Sequence, residues 1–308
     1  MEHRNGACWL DVEGKPIQAH GGMITRFGDT WYWYGENKDA ENCTRDGAPL
    51  SRVDVIGVSC YTSPDLLHWT HQGVVLSAVT DSPVHPLHPS RVLERPKVFY
   101  NAHTGKYVMW FHADSPDYTF AQAGCAVADS PAGPFRFLRT VAPNRRDCRD
   151  MTLYHDPVSG HEFLVHSGDW NKTLYFSELT EDGLGFTGRC FAQMINQERE
   201  APALCYHNGL HYCVTSGCTG WAPNSALYAT AQEVCMDMKL IDNPCEGPGY
   251  RQTFGGQSTW VLQAENRYWL MLDHWKPLDL RHSGYSLLPM DFEGERLTVR
   301  WQETFAGL

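Results

Sequence analysis

Glu94-Arg95-Pro96-Lys97-Val98-Phe99-Tyr100, then a turn, then Tyr107-Val108-Met109-Trp110-Phe111-His112 is the stretch that decides the fold. A polar residue opens a short apolar strand, the chain reverses, and an aromatic-rich second strand ends on another polar residue. The same order recurs four more times. It runs from His20 to Phe27 and Thr30 to Glu36, from Asp150 to Tyr154 and Glu162 to Ser167, from Glu200 to Tyr206 and His211 to Ser216, and from Gln257 to Leu262 and Tyr268 to Asp273.

Two further strand-like runs follow each pair. They are Gly57–Tyr61 and Thr70–Leu76, Gly124–Ala128 and Phe135–Thr140, Thr173–Glu178 and Thr187–Ala192, Ser225–Thr230 and Met236–Ile241, then Tyr285–Pro289 and Leu297–Gln302. The runs are short, β-branched or aromatic, and bounded by Gly, Pro, Asn or Asp. No long stretch carries helical periodicity. Four strands repeated at roughly fifty-residue spacing predict an all-β, five-bladed β-propeller with four antiparallel strands per blade. A β-sandwich is the competing architecture, and the spacing is too long for its simple hairpins. No Pro/Ser-rich linker interrupts the chain, so residues 1–308 read as a single catalytic domain.

The bulk composition narrows the partners. A hydrophobic content of 42% in 308 residues supports a full core and argues against disorder. The formal charge of −11, with no Lys/Arg block, argues against nucleic acid. An acidic chain rich in Trp and Tyr suits a neutral ligand such as a sugar. No stretch is long and apolar enough to span a membrane. No apolar run follows Met1, so a signal peptide is not expected. Eleven cysteines, without a C-x-x-C pair, read as free thiols of a cytoplasmic protein; a trimmed signal would make it a secreted one.

In a propeller the innermost strands line a central channel, so residues opening equivalent strands converge at one end of it. Here these are His20, Glu94, Asp150, Glu200 and Gln257. Carboxylates held close cannot all ionise, which yields a protonated acid beside ionised neighbours. Glycoside hydrolysis needs that division. Turn capping, or an ion on the axis, is the bland alternative for any one of them.

The chain resembles glycoside hydrolase family 43, in its exo-β-1,3-galactanase branch. The resemblance rests on Ala19-His20-Gly21-Gly22, Tyr32–Glu36, Glu94–Val98, Arg149–Leu153, Arg199–Ala203, Ser216–Asn224 and Gly256–Thr259. Tyr61–Leu66 and Asp129–Phe135 match the wider family. The resemblance implies an inverting hydrolase that needs no metal or cofactor. It implies Glu200 as general acid and Asp150 as the residue that orients it and tunes its pKa. Family members elsewhere carry the base as an Asp in the first blade; His20-Gly21-Gly22 stands there instead, leaving Glu94 and Gln257 as candidates. Chemistry alone favours the carboxylate, because an amide has almost no basicity. The family pattern sets Gln257 near the attacking water, to position it or relay its proton as the imidic acid, and Gln257 is the residue favoured for positioning the water.

Other residues follow from the same comparison. Glu36, Asn171 and Asn224 fall at strand ends and are candidates for galactose hydroxyls, with turn capping as the alternative. Tyr118 is implied as a sugar contact. Thr219 is a candidate sugar contact, Trp221, two residues on, a candidate for stacking on a galactose ring, and Trp275 one for the pocket rim. The expected substrate is a β-1,3-linked galactose oligo- or polysaccharide cut from its non-reducing end. An arabinofuranosidase or xylosidase, a phosphorylase, and a non-catalytic carbohydrate-binding propeller are the alternatives.

Overall fold

The computed structural model describes residues 2–308. Each repeat folds as an antiparallel four-stranded sheet whose strands follow in chain order. Blade one is His20–Phe27, Thr30–Glu36, Gly57–Ser63 and Thr70–Ser77. Blade two is Val92–Asn101, Lys106–Asp114, Gln122–Ala128 and Arg136–Val141. Blade three is Met151–His155, Glu162–Gly168, Thr173–Leu179 and Phe186–Gln193. Blade four is Arg199–His207, Leu210–Gly217, Leu227–Ala231 and Lys239–Asp242. Blade five is Gln257–Ala264, Arg267–His274, Gly284–Glu293 and Arg296–Arg300. The innermost strands touch in the cyclic order one to five and back to one, which makes a five-bladed β-propeller.

The ring is held by five apolar layers, one between each pair of neighbouring blades. Side chains alternate along a strand, so each blade feeds both layers. In the second strand of blade two, Met109 and Phe111 pack toward blade one, while Val108 and Trp110 pack toward blade three. Both faces are buried, which is why these strands read as nearly continuous apolar runs. Each large side chain removed from water this way contributes about 1.5–3 kcal/mol.

Three features were not foreseen from the sequence. The outer strand of blade four is Lys239–Asp242, shorter and later than the expected Met236–Ile241. Cys245–Glu246 adds a fifth, parallel strand outside blade five. The ring closes through a small ladder, His3–Arg4 against Thr304–Phe305. Behind it Tyr285 of blade five donates to the Ile17 carbonyl at 2.8 Å and accepts from the Ala19 amide at 3.1 Å. All eleven cysteines are free thiols.

A repeated irregularity aims the channel-mouth side chains. The innermost strands of blades one, two, four and five each carry a register shift, at His20/Met23, Glu94/Lys97, Glu200/Ala203 and Ser258/Trp260. Such bulges place two residues opposite one and redirect the side chain beside them. In blades one, two and four the next residue is left-handed: Gly21 (φ +59°), Arg95 (φ +54°) and Ala201 (φ +52°). At Gly21 a Cβ would lie 2.2 Å from Glu36 Oε1 and would displace a carboxylate that is held by Lys38 and the Arg95 amide.

Gly22 is tighter still: a Cβ would sit 1.7 Å from the Tyr34 carbonyl oxygen, a backbone atom that cannot move aside. Gly22→Ala is expected to cost more than about 4 kcal/mol, or to prevent folding. Gly185→Ala, whose Cβ would meet Thr180 at an ordinary 3.4 Å, should change little. Denaturant unfolding of both variants checks this; a Gly22→Ala midpoint equal to that of the parent would contradict it.

Candidate active site

Four of the five strand-opening residues reach one cavity of about 230 Å³ at the channel mouth: Glu94, Asp150, Glu200 and Gln257. His20 does not. It is fully buried beneath the floor, stacked on Tyr285 at 4.9 Å and 5.7 Å from the Trp275 ring. The expected five-fold convergence is therefore four-fold, with Trp275 closing over the fifth position.

Glu200 is held from two sides. Gln257 Nε2 donates to Oε1 at 3.1 Å, and Asn171 Nδ2 donates to Oε2 at 3.2 Å. Two donors favour the ionised carboxyl, yet burial and the Asp150 charge outweigh them and push the Glu200 pKa up to about 8. The orientation of the Gln257 amide is fixed by its partners. Its oxygen accepts from Arg95 Nη2 at 2.7 Å and from Trp275 Nε1 at 3.0 Å, both donor-only groups, so the NH₂ must face Glu200 and Ser216 Oγ (3.0 Å). Arg95 Nη2 also bonds Asp150 at 2.8 Å, and Nη1 bonds the Ser258 carbonyl at 3.1 Å. Nearby Asp150 holds the guanidinium firmly charged against its burial.

Glu94 is the opposite case. Burial works to raise its pKa, but His112 Nδ1 at 3.1 Å, the Lys38 charge and Tyr118 OH at 2.8 Å hold it down to about 2. His112 also bonds Asp114 at 2.9 Å; against its burial, Asp114 and Glu94 raise it to about 9. The pocket thus sets Glu200, a carboxyl with a raised pKa, beside Glu94, one with a lowered pKa. Glu94, His112 and Asp150 bring potential ligand atoms within 4.8 Å of one another. They do not fit a metal ion, because both His112 nitrogens already serve carboxylates and the ring is a cation.

Glu36 lines the cavity, but both its oxygens are engaged. Oε1 accepts from the Arg95 amide at 3.0 Å, fixing the bulge, and Oε2 pairs with Lys38 at 2.8 Å. Burial raises its pKa, and Lys38 opposes the rise. Below, the Lys97 amine, its pKa lowered to about 7 by burial and the Arg95 charge, donates to the carbonyls of Gly21 (2.8 Å) and Arg95 (3.4 Å), tying the two bulges together.

The loops joining second to third strands supply the walls. Tyr118 comes from blade two, Asn171 from blade three, Trp221 from blade four and Trp275 from blade five, and all four line the cavity. Trp221 and Trp275 meet edge to face at 5.3 Å. Asn171 touches Glu200 and leaves its own Oδ1 without a partner. Thr219 and Asn224 do not line this cavity. Asn224 spends its amide on Gly217 N (2.7 Å), Gly217 O (2.8 Å) and Thr219 Oγ1 (2.7 Å), while Thr219 bonds the Ala222 carbonyl at 2.6 Å. Both staple the loop that carries Trp221, which is the capping alternative raised from the sequence for Asn224.

Sequence reasoning missed Arg95, His112 and Arg149, which also line the cavity. The signal was present: His112 closes the second strand of its repeat, and Arg95 and Arg149 flank strand-opening acids.

The sequence profile of glycosyl hydrolases family 43 matches residues 16–285. No curated protein sequence matches. Among solved structures, a family-43 β-1,3-galactosidase holding galactodeoxynojirimycin is 32% identical with a TM-score of 0.88, over 97% of this chain and 99% of that one. An exo-β-1,3-galactanase from Phanerochaete chrysosporium with β-1,3-galactotriose is 30% identical with a TM-score of 0.89, over 98% of this chain and 67% of that one. An exo-β-1,3-galactanase from Clostridium thermocellum is 31% identical with a TM-score of 0.86, over 98% and 66%. The blades, the two pocket carboxyls with opposite pKa shifts and these matches lead to one assignment: the protein belongs to glycosyl hydrolases family 43.

Proposed function

We propose that the protein is an exo-acting, inverting β-1,3-galactosidase that releases galactose from non-reducing ends. The observation that carries this reading is that Glu200, held by Gln257 and Asn171 with its pKa raised to about 8, and Glu94, held by His112 and Tyr118 with its pKa lowered to about 2, line one small pocket walled by aromatic rings. The sugar identity is supported by the relatives, whose bound ligands are galactodeoxynojirimycin, galactose and β-1,3-galactotriose.

In this mechanism Glu200 gives its proton to the glycosidic oxygen as the bond to the anomeric carbon breaks. A water attacks that carbon from the opposite face and loses a proton to a carboxylate. Glu94 fits the second role better than Gln257 does. Its oxygens keep free lone pairs after bonding His112 and Tyr118, whereas both lone pairs of the Gln257 oxygen are taken by Arg95 and Trp275. An imidic acid would also turn its O–H toward those two donors. The low basicity of Glu94 is tolerable because attack on an oxocarbenium-like carbon acidifies the water as the new bond forms. Gln257 instead orients Glu200, and Asp150 keeps it protonated.

Two outcomes are expected. Glu200→Gln should lower turnover of β-1,3-galactotriose by about 10² to 10⁴ with an unchanged melting temperature. For the parent, proton NMR should show galactose, first formed as the α anomer, with galactobiose left behind. Near-normal turnover by the variant, or β-galactose first, would contradict the assignment.

The pH profile of kcat/KM reports the free protein. Glu200 acts protonated, so activity should be full below its raised pKa and fall as pH rises through about 8. Glu94 acts ionised, so it sets no limb until pH approaches about 2. Asp150→Asn removes an anion that raises the Glu200 pKa, so the alkaline limb should move to lower pH. An unmoved limb would contradict the role of Asp150.

A further inference from the structure

Each of blades two to five carries an aromatic residue in its second-to-third-strand loop: Tyr118, Trp170, Trp221 and Trp275. Three line the pocket; Trp170 does not, and its indole is 64% exposed. We propose that Trp170 is the platform on which the leaving-group sugar of the glycan stacks. This rests on the glycosidase reading above and extends it to the far side of the scissile bond.

Position is the first argument. Asn171, the next residue, donates to Glu200 Oε2, so Trp170 stands on the acid's side of the mouth. The oxygen that Glu200 protonates links the pocket sugar to the leaving group. The sugar beyond that oxygen must therefore emerge on this side.

Fixation is the second. Asp169, Trp170 and Asn171 are successively left-handed, with φ of +52°, +57° and +62°. The Asp147 carboxylate accepts the amides of Asp169 (2.6 Å) and Trp170 (3.1 Å) and also pairs with Arg149. The Arg149 guanidinium lies 4.3 Å from the centre of the indole and bonds the Tyr118 carbonyl at 3.2 Å. One indole face is thus pinned on a buried cation while the other is open. A flat apolar surface held rigid in water costs little further ordering when it binds. It suits the C–H face of a pyranose ring.

The test is Trp170→Ala in the whole chain. Expected is about a tenfold loss of kcat/KM on β-1,3-galactobiose, equivalent to about 1.4 kcal/mol. The loss should be carried by KM, with Trp170→Phe restoring most of it. Calorimetric affinity for free galactose, which fills only the pocket, should stay within twofold. Unchanged kcat/KM in Trp170→Ala would overturn the proposal. So would an equal loss of galactose affinity, which would mean that the indole merely shields Arg149. A parent protein inactive on galactobiose would overturn the glycosidase reading, and the platform with it.

Discussion

Arg95 joins the Asp150 carboxylate of blade three to the Gln257 amide oxygen of blade five, and the chemistry of the pocket depends on that bridge. A guanidinium has no acceptor, so it forces the Gln257 oxygen toward itself and the NH₂ toward Glu200. It also holds Asp150, whose charge raises the Glu200 pKa by more than the guanidinium's own charge lowers it. Without the bridge, Asp150 would be a partly buried anion without its cation, a costly arrangement. Glu94, on the same strand as Arg95, is separated electrostatically by His112, Tyr118 and Lys38. One strand thus supplies both the carboxylate that must ionise and the cation that organises the acid's side.

The propeller makes this possible by a backbone device. Bulges recur in four innermost strands; those of blades two, four and five present Glu94, Glu200 and Gln257 to the mouth, and the left-handed Arg95 and Ala201 carry strain of about 1–3 kcal/mol each. Lys97 and Glu36 secure two of the bulges by binding their backbone groups. The rigidity of the site comes from the ring: five apolar layers leave no blade free to shift alone.

Much of this was legible in the sequence. The five openings at His20, Glu94, Asp150, Glu200 and Gln257 fixed the blade count, because a polar residue at the head of an apolar run stands out. The same pattern misplaced His20, since nothing local tells a polar residue beneath Trp275 from one above it. Arg95 was missed, because an arginine after a glutamate reads as an ordinary neighbour until the bulge turns it toward two other blades. Thr219 and Asn224 looked like sugar ligands because a loop staple and a sugar contact use the same residue types. Closure by His3–Arg4 and Thr304–Phe305 joins the ends of the chain, a distance at which short patterns carry no information.

The central claim is that Glu200 is a carboxylic acid, not a carboxylate, at neutral pH in the free protein. ¹³C NMR of protein labelled at the glutamate side-chain carboxyls, with Glu200 assigned from its Gln variant, measures this directly. The account predicts a Glu200 carboxyl resonance that titrates with a midpoint near 8 while Glu94 stays ionised to the acid limit of the fold. A Glu200 midpoint near the ordinary glutamate value of about 4.3 would contradict it.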